Sequence, residues 1–394
     1  MTPTAHRRGT RRTAALAGLA GMALAVAACA PGGGASAQTG DGPIRLAYMG
    51  ILTGPNATKG STHAFELAIK EINANGGIAG RQVEFQTFDT DITPEGAARA
   101  TSLALRYKPA AIVGFGVSSG LKASMAAIKG ANIPVIHNTL GSLTSAKNLG
   151  SDLVFRMSPT TTQYAHAAND YLIKDRGAKS ILMIHTEDAA PTEGAAKVVE
   201  DAKSKNVSTT VRAVPPAVTD LTEPILAAAK ADAIWEWGYA PTDALTVKQA
   251  AQNNVKVPIM TFTVGTAMLN GLIPLSLASD DVLSVANCGA LVLDNPVAKD
   301  FVAKYEKEYG VPPHDGLEPR NYDSVYLLKA AIEKAGSTDG PKVGAALKQV
   351  SRDGVCGKLQ ADALGNFYRN VPIIQWGGGK AKLAKLEENV ASDF

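Results

Sequence analysis

The run Ala68-Ile69-Lys70-Glu71-Ile72-Asn73-Ala74-Asn75-Gly76-Gly77-Ile78-Ala79-Gly80-Arg81 carries the end of one element and the approach to the next. Together with Phe65, the residues Ala68, Ile69 and Ile72 fall at i, i+3, i+4 and i+7, which gives a helix one apolar face. Asn75, Gly76 and Gly77 stop that helix, because both residue types accept the left-handed backbone that closes a helix. An apolar strand precedes it at 44–49 and another follows at 83–87. Strand, amphipathic helix, strand is the repeating unit of a parallel sheet covered by helices.

Outward from this unit the rhythm continues. Pro94 opens a helix running to about Lys108, strands are expected at 111–114 and 133–136, and a helix starts at Ser119 between them. It restarts near residue 157, with a helix over 163–174 and strands at 181–184, 209–214, 233–237, 258–262 and 281–286. Helices near 297–309, 320–335 and 342–350 complete the pattern. The number of strands and the restart favour two doubly wound sheets over one barrel, in an α/β fold.

The N-terminus reads differently. Arg7, Arg8, Arg11 and Arg12 precede the uncharged apolar stretch Ala14 to Ala28, which ends in Val26-Ala27-Ala28-Cys29. A membrane-spanning helix needs about 20 apolar residues, so the stretch reads as the apolar core of a signal peptide. The last four residues look like a bacterial lipoprotein cleavage box. Residues 1–28 would then be removed and Cys29 would carry lipid, placing the protein outside the cytoplasm on a membrane anchor. Residues 29–42 are small, polar and aperiodic, as in a flexible tether. Removing four arginines and no acids takes the formal net charge from +3 to −1, so the chain offers no basic face for nucleic acid. Two cysteines remain, Cys288 and Cys356, which either form a disulfide in an oxidising compartment or lie as two buried thiols.

Ligands of open parallel sheets sit beyond the carboxyl ends of the strands. There the chain places Gly114-Phe115-Gly116-Val117-Ser118-Ser119-Gly120, where Ser118 and Ser119 either favour an anion at a helix N-terminus or only cap the helix. His137, Asn138 and Thr139 follow the next strand. Trp237 and Tyr239 follow a later one, as ligand-packing aromatics or as core. His185, Glu187 and Asp188 lack the spacing of a metal site. Neither a nucleophile elbow, a zinc-binding helix motif nor a phosphate-binding loop is present, so a secreted α/β enzyme is the weaker expectation, and neither cofactor nor metal is expected.

Several stretches together resemble the type I periplasmic binding proteins of ABC transporters, and within them the branched-chain amino acid (Leu/Ile/Val) family. They are Gly50-Ile51-Leu52-Thr53-Gly54-Pro55, the run 68–81, Val113-Gly114 through Ser118-Ser119-Gly120, Ile133-Pro134-Val135-Ile136 and Val154-Phe155-Arg156. The resemblance spans nearly all of 43–390. It implies two Rossmann-like lobes joined by three hinge crossings, near 156–158, 286–288 and 358–362. Lobe 1 is then 43–156 plus 288–357, and lobe 2 is 157–287 plus 358–394. Cys288 and Cys356 would both fall near the hinge.

The resemblance also implies roles for single residues. Ser118, with Ser119 beside it, stands where the family holds the ligand carboxylate, and His137 and Thr139 where it grips the head group. Tyr239 lies near a second-lobe aromatic, and Lys59 holds a first-loop position that is often a ring. Thr263 stands where the family places the acid that neutralises the ligand ammonium. That departure leaves two expectations. One is a branched-chain or related amino acid, with Glu236 or Glu187 as substitute acid. The other is an aromatic or aliphatic carboxylic acid without an amine, paired with Lys59. The expected role is substrate capture for an ABC permease by a lipid-anchored monomer, or ligand sensing on the same fold.

Overall fold

The computed structural model describes residues 42–53, 57, 60–313, 316–368 and 370–391. The leader, Cys29 and Lys59 therefore lie outside the described residues. The helix of the opening stretch spans His63–Ala74, buries Phe65, Ala68, Ile69 and Ile72, and closes at Asn75. Gly77 has φ +80°, and a Cβ there would sit 2.0 Å from the Arg81 carbonyl oxygen, so only glycine allows the chain to turn back towards the next strand.

Five parallel strands form the first sheet: β1 (Ile44–Gly50), β2 (Val83–Asp89), β3 (Ala111–Gly114), β4 (Val135–His137) and β5 (Val154–Arg156). Their order is β2-β1-β3-β4-β5. The order reverses between β1 and β3, which opens a crevice at the carboxyl ends of those two strands.

A second sheet repeats the plan with β6 (Ser180–Thr186), β7 (Ser208–Val214), β8 (Ala233–Trp237), β9 (Ile259–Thr261) and β10 (Val282–Val285). A small antiparallel hairpin, β11 (Ser351–Gly354) and β12 (Gly357–Gln360), follows. The chain then adds β13 (Val371–Gln375) and β14 (Lys382–Glu387) antiparallel at one edge of the second sheet. The second order is β14-β13-β10-β9-β8-β6-β7.

Each sheet has its own apolar core. Ile44, Phe65, Val113, Phe155, Phe301 and Leu328 belong to a cluster around the first sheet. Tyr164, Met183, Trp235, Met260 and Ile373 belong to one around the second. Cys288, Cys356, Leu359, Phe367 and Tyr368 all pack in the first cluster, whereas Val371 packs in the second. The hairpin β11–β12 follows the helices at 296–347 that cover the first sheet. Cys288 and Cys356 are joined by a disulfide.

Candidate ligand-binding cleft

The crevice of the first sheet begins at β3. Gly114 has φ +122°, and a Cβ there would lie 2.0 Å from the Met49 carbonyl oxygen, so β1 and β3 approach closely only because this residue is glycine. Phe115 then takes φ +56°, a rare conformation for a bulky side chain. It is held there by its amide donating to the Met49 carbonyl at 2.7 Å and by its carbonyl accepting from the Asn138 amide at 3.2 Å. The strained turn aims Gly116 and Val117 into the crevice and starts the helix Ser118–Ala131, whose N-cap residue Val117 supplies no side-chain cap. The amides of the first turn lack intrahelical acceptors and carry partial positive charge.

A cavity of about 240 Å³ occupies this crevice. From the first lobe it is lined by Tyr48–Ile51, Gly114–Val117, Asn138, Leu140, Leu317 and Arg320, and from the second-sheet side by Phe262 after β9 and Asn287 after β10. A second cavity of about 280 Å³ shares Phe262 and Asn287 and adds Thr263, Ser284 and Trp376. Among the described residues no aspartate or glutamate lines either one.

The polar groups around the first cavity are firmly held. Asn138 donates from Nδ2 to Asn321 Oδ1 at 2.9 Å. Its carbonyl accepts from Ser158 Oγ at 2.7 Å. Asn321 Nδ2 donates to the Tyr48 hydroxyl at 3.1 Å. Burial pushes the Tyr48 phenol up to about 12, so it stays protonated. Arg320 is only 3% exposed. Its Nε donates to the Gly316 carbonyl at 2.8 Å and its Nη1 to Ser158 Oγ.

Phe262 closes the far wall at the end of an aromatic tower. Trp235 and Trp237 stack at 4.9 Å, Trp237 and Phe262 at 5.3 Å, and Tyr164 meets Phe262 edge-on at 5.2 Å. Phe262 is thus fixed by rings behind it while one face borders the cavity.

The residues singled out in the sequence fall in several places. Asn138 lines the first cavity and Thr263 the second. His137 and Thr139 are fully buried behind the wall and bond each other, Thr139 Oγ1 lying 3.0 Å from His137 Nδ1. Burial, then the Arg156 charge, holds His137 well below the usual histidine range, so it is neutral. Trp237 is buried inside the tower and Tyr239 is exposed. Ser118 is half-buried at the rim. Its Oγ lies 2.9 Å from the point a Cβ of Gly141 would occupy, with Glu193 Oε2 at 3.6 Å from the same point. Ser119 is exposed.

Of the proposed substitute acids, Glu187 is exposed and Glu236 is fully buried. Burial and the adjacent Asp243 carboxylate push Glu236 well above the usual carboxylate range. Asp243 in turn accepts from the Thr263 amide at 2.8 Å and from Thr263 Oγ1 at 2.7 Å. The acid pair is therefore a support beneath Thr263 and not a lining group. Arg320, Phe262, Tyr48 and Asn287 were not singled out in the sequence. Phe262 ends a strand expected at 258–262 and could have been read from that position, while Arg320 lies inside a helix start and gives no local signal.

A family model for periplasmic binding proteins matches residues 43–381. A Leu/Ile/Val-binding protein homologue of Brucella melitensis is 26% identical over 370 residues, covering 90% of this chain and 96% of the relative. Among solved structures, a leucine-binding protein of Thermotoga maritima is 22% identical, covers 88% of this chain and 99% of its own, and has a TM-score of 0.74. A solute-binding protein of an ABC transporter from R. palustris in complex with benzoate is 21% identical, with coverages of 89% and 98% and a TM-score of 0.73.

Proposed function

Since the chain belongs to the periplasmic binding protein family, we propose that it is the lipid-anchored, extracytoplasmic receptor of an ABC importer, and that it captures a small carboxylate-bearing molecule by closing its two lobes. The family is one of solute-binding proteins and not of enzymes, and its members act outside the cytoplasm. The observation that carries the ligand class is the electrostatics of the 240 Å³ cavity. The uncapped helix N-terminus at Val117–Gly120 and the Arg320 guanidinium both favour an anion there, and among the described residues no carboxylate lines it.

The lining supports lobe closure. First-lobe loops and the second-lobe residues Phe262 and Asn287 share one ligand space, so a ligand touching both sides stabilises the closed form by its differential contacts. Asn138 is retained as a ligand-facing group and Ser118 as a rim group in this proposal, with Cys29 as the lipid-bearing residue and the permease as the receiving partner. A structurally similar leucine-binding protein and a benzoate complex are both compatible with a carboxylate ligand.

Calorimetric titration of the mature chain with carboxylates and with matched amides and amines tests the ligand class. Tighter binding of a carboxylate-free compound than of any acid would overturn it. Membrane fractionation of Cys29→Ser tests the anchor, and release into the soluble fraction is expected. Retention on the membrane would contradict it.

A further inference from the structure

We propose that Arg320 is the carboxylate receptor of the cleft and that the ligand is a compact aromatic acid without an ammonium group, its ring lying on the exposed face of Phe262. This rests on the solute-capture proposal above and adds the chemistry of the ligand.

A buried guanidinium is costly unless a negative charge answers it. Arg320 is 3% exposed and lines the cavity, yet among the described residues its hydrogen bonds run to neutral acceptors, the Gly316 carbonyl and Ser158 Oγ. Among the described residues no carboxylate comes within ion-pair distance of it. Glu318, two residues away, is not ion-paired with it: its Oε1 lies 3.1 Å from the point a Cβ of Gly60 would occupy and its Oε2 4.0 Å from that of Gly316. Arg320 is also held in place, since Ser158, which accepts from Nη1, donates to the Asn138 carbonyl. A planar, pre-positioned fork of donors suits a carboxylate.

The same cavity argues against a ligand ammonium. An ammonium taken out of water needs an acid beside it, and the lining has none among the described residues. Thr263 donates both its amide and its hydroxyl to Asp243. Glu193 reaches the rim near Ser118 but accepts from Thr161 Oγ1 at 3.0 Å and does not line the cavity. At about 240 Å³ the space is at the small end for organic ligands, which run from roughly 300 Å³ upward. The fixed Phe262 ring, which lines the same cavity as Arg320, offers a stacking surface.

The test is calorimetry on the mature chain and on Arg320→Met, using benzoate, 4-hydroxybenzoate, 3-phenylpropionate, benzamide, L-phenylalanine and L-leucine. At least one amine-free acid is expected to bind, with L-phenylalanine and L-leucine weaker. Arg320→Met is expected to lose on the order of 100-fold for that acid, as when one member of a buried charge pair is truncated. Melting curves check that the variant is folded, and Arg320→Lys is expected to recover part of the affinity. Equal affinity of wild type and Arg320→Met, or tighter binding of either amino acid than of every amine-free acid, overturns this inference and leaves the solute-capture proposal standing. If no acid or amino acid binds the wild type, both fall.

Discussion

Replacing Cys288 and Cys356 together by alanine removes a bridge that closes a loop with a sequence separation of 68. The chain-entropy relation for a loop of that length gives a loss of about 4 kcal/mol, because the unfolded chain regains the freedom that the bridge denies it. Unfolding entropy of about 2.1 cal/mol/K per residue over about 350 folded residues is roughly 0.7 kcal/mol/K. Dividing the two, the melting temperature should fall by about 6 °C if the lobes melt together, and by more if the first lobe melts alone. Differential scanning calorimetry of the double variant, and of the wild type with and without reductant, measures this. Ligand affinity should hold, because both cysteines pack within the first-lobe cluster and the neighbouring Asn287 is independently fixed by the Tyr164 hydroxyl at 2.7 Å. Identical melting of the bridged and unbridged chains would show that the bridge does not restrict the unfolded chain. A large loss of affinity would show instead that the bridge positions the cleft.

Three further outcomes follow from the cleft and its supports. Phe262→Ala removes the ring between the aromatic tower and the cavity and should weaken an aromatic acid by about 1–3 kcal/mol, read by calorimetry, with a smaller effect on an aliphatic acid. Glu236→Gln should raise the melting temperature near neutral pH. The Glu236 carboxyl is pushed well above 4.5, so its contribution is intact below the ordinary glutamate value and is lost as pH rises through the raised one. The variant should therefore show a flatter melting profile as pH rises above the ordinary glutamate range and converge with the wild type in acid; parallel profiles would contradict this. Glu193→Gln should leave the affinity for an amine-free acid unchanged, because Glu193 touches the rim and not the cavity, and a steep loss for an amino acid ligand would identify it as an ammonium partner.

The parallel framework was legible because its signals are local. The face of Phe65, Ala68, Ile69 and Ile72, and the stop at Asn75-Gly76-Gly77, appear in the sequence as they do in the fold. The last four strands were not. β11 and β12 are short and largely polar, and β14, Lys382–Glu387, is composed of good helix formers that pair only with β13 at the sheet edge. Their strand state is set by tertiary pairing and not by propensity. The expected helix over 163–174 also differs, giving way at Tyr171–Asp175 to a wider π-helical turn.

For the site, the strand-end glycines marked the crevice, since close approach at Gly114 admits no side chain. The same reasoning did not separate the wall from what stands behind it. His137, Thr139 and Trp237 look like strand-end ligand groups but are buried in supporting networks. Arg320 looks like one of many helix-surface charges, yet it becomes a lining group only because the helix Glu318–Ala335 is buried along its first two turns.

The cleft is built to hold a small acid. Mass spectrometry of the molecule extracted from natively purified protein tests it most directly. A compact aromatic carboxylic acid without an amine, released chemically unchanged, is the expected result, whereas a cation or a molecule without a carboxylate would show that the cleft does not select an acid.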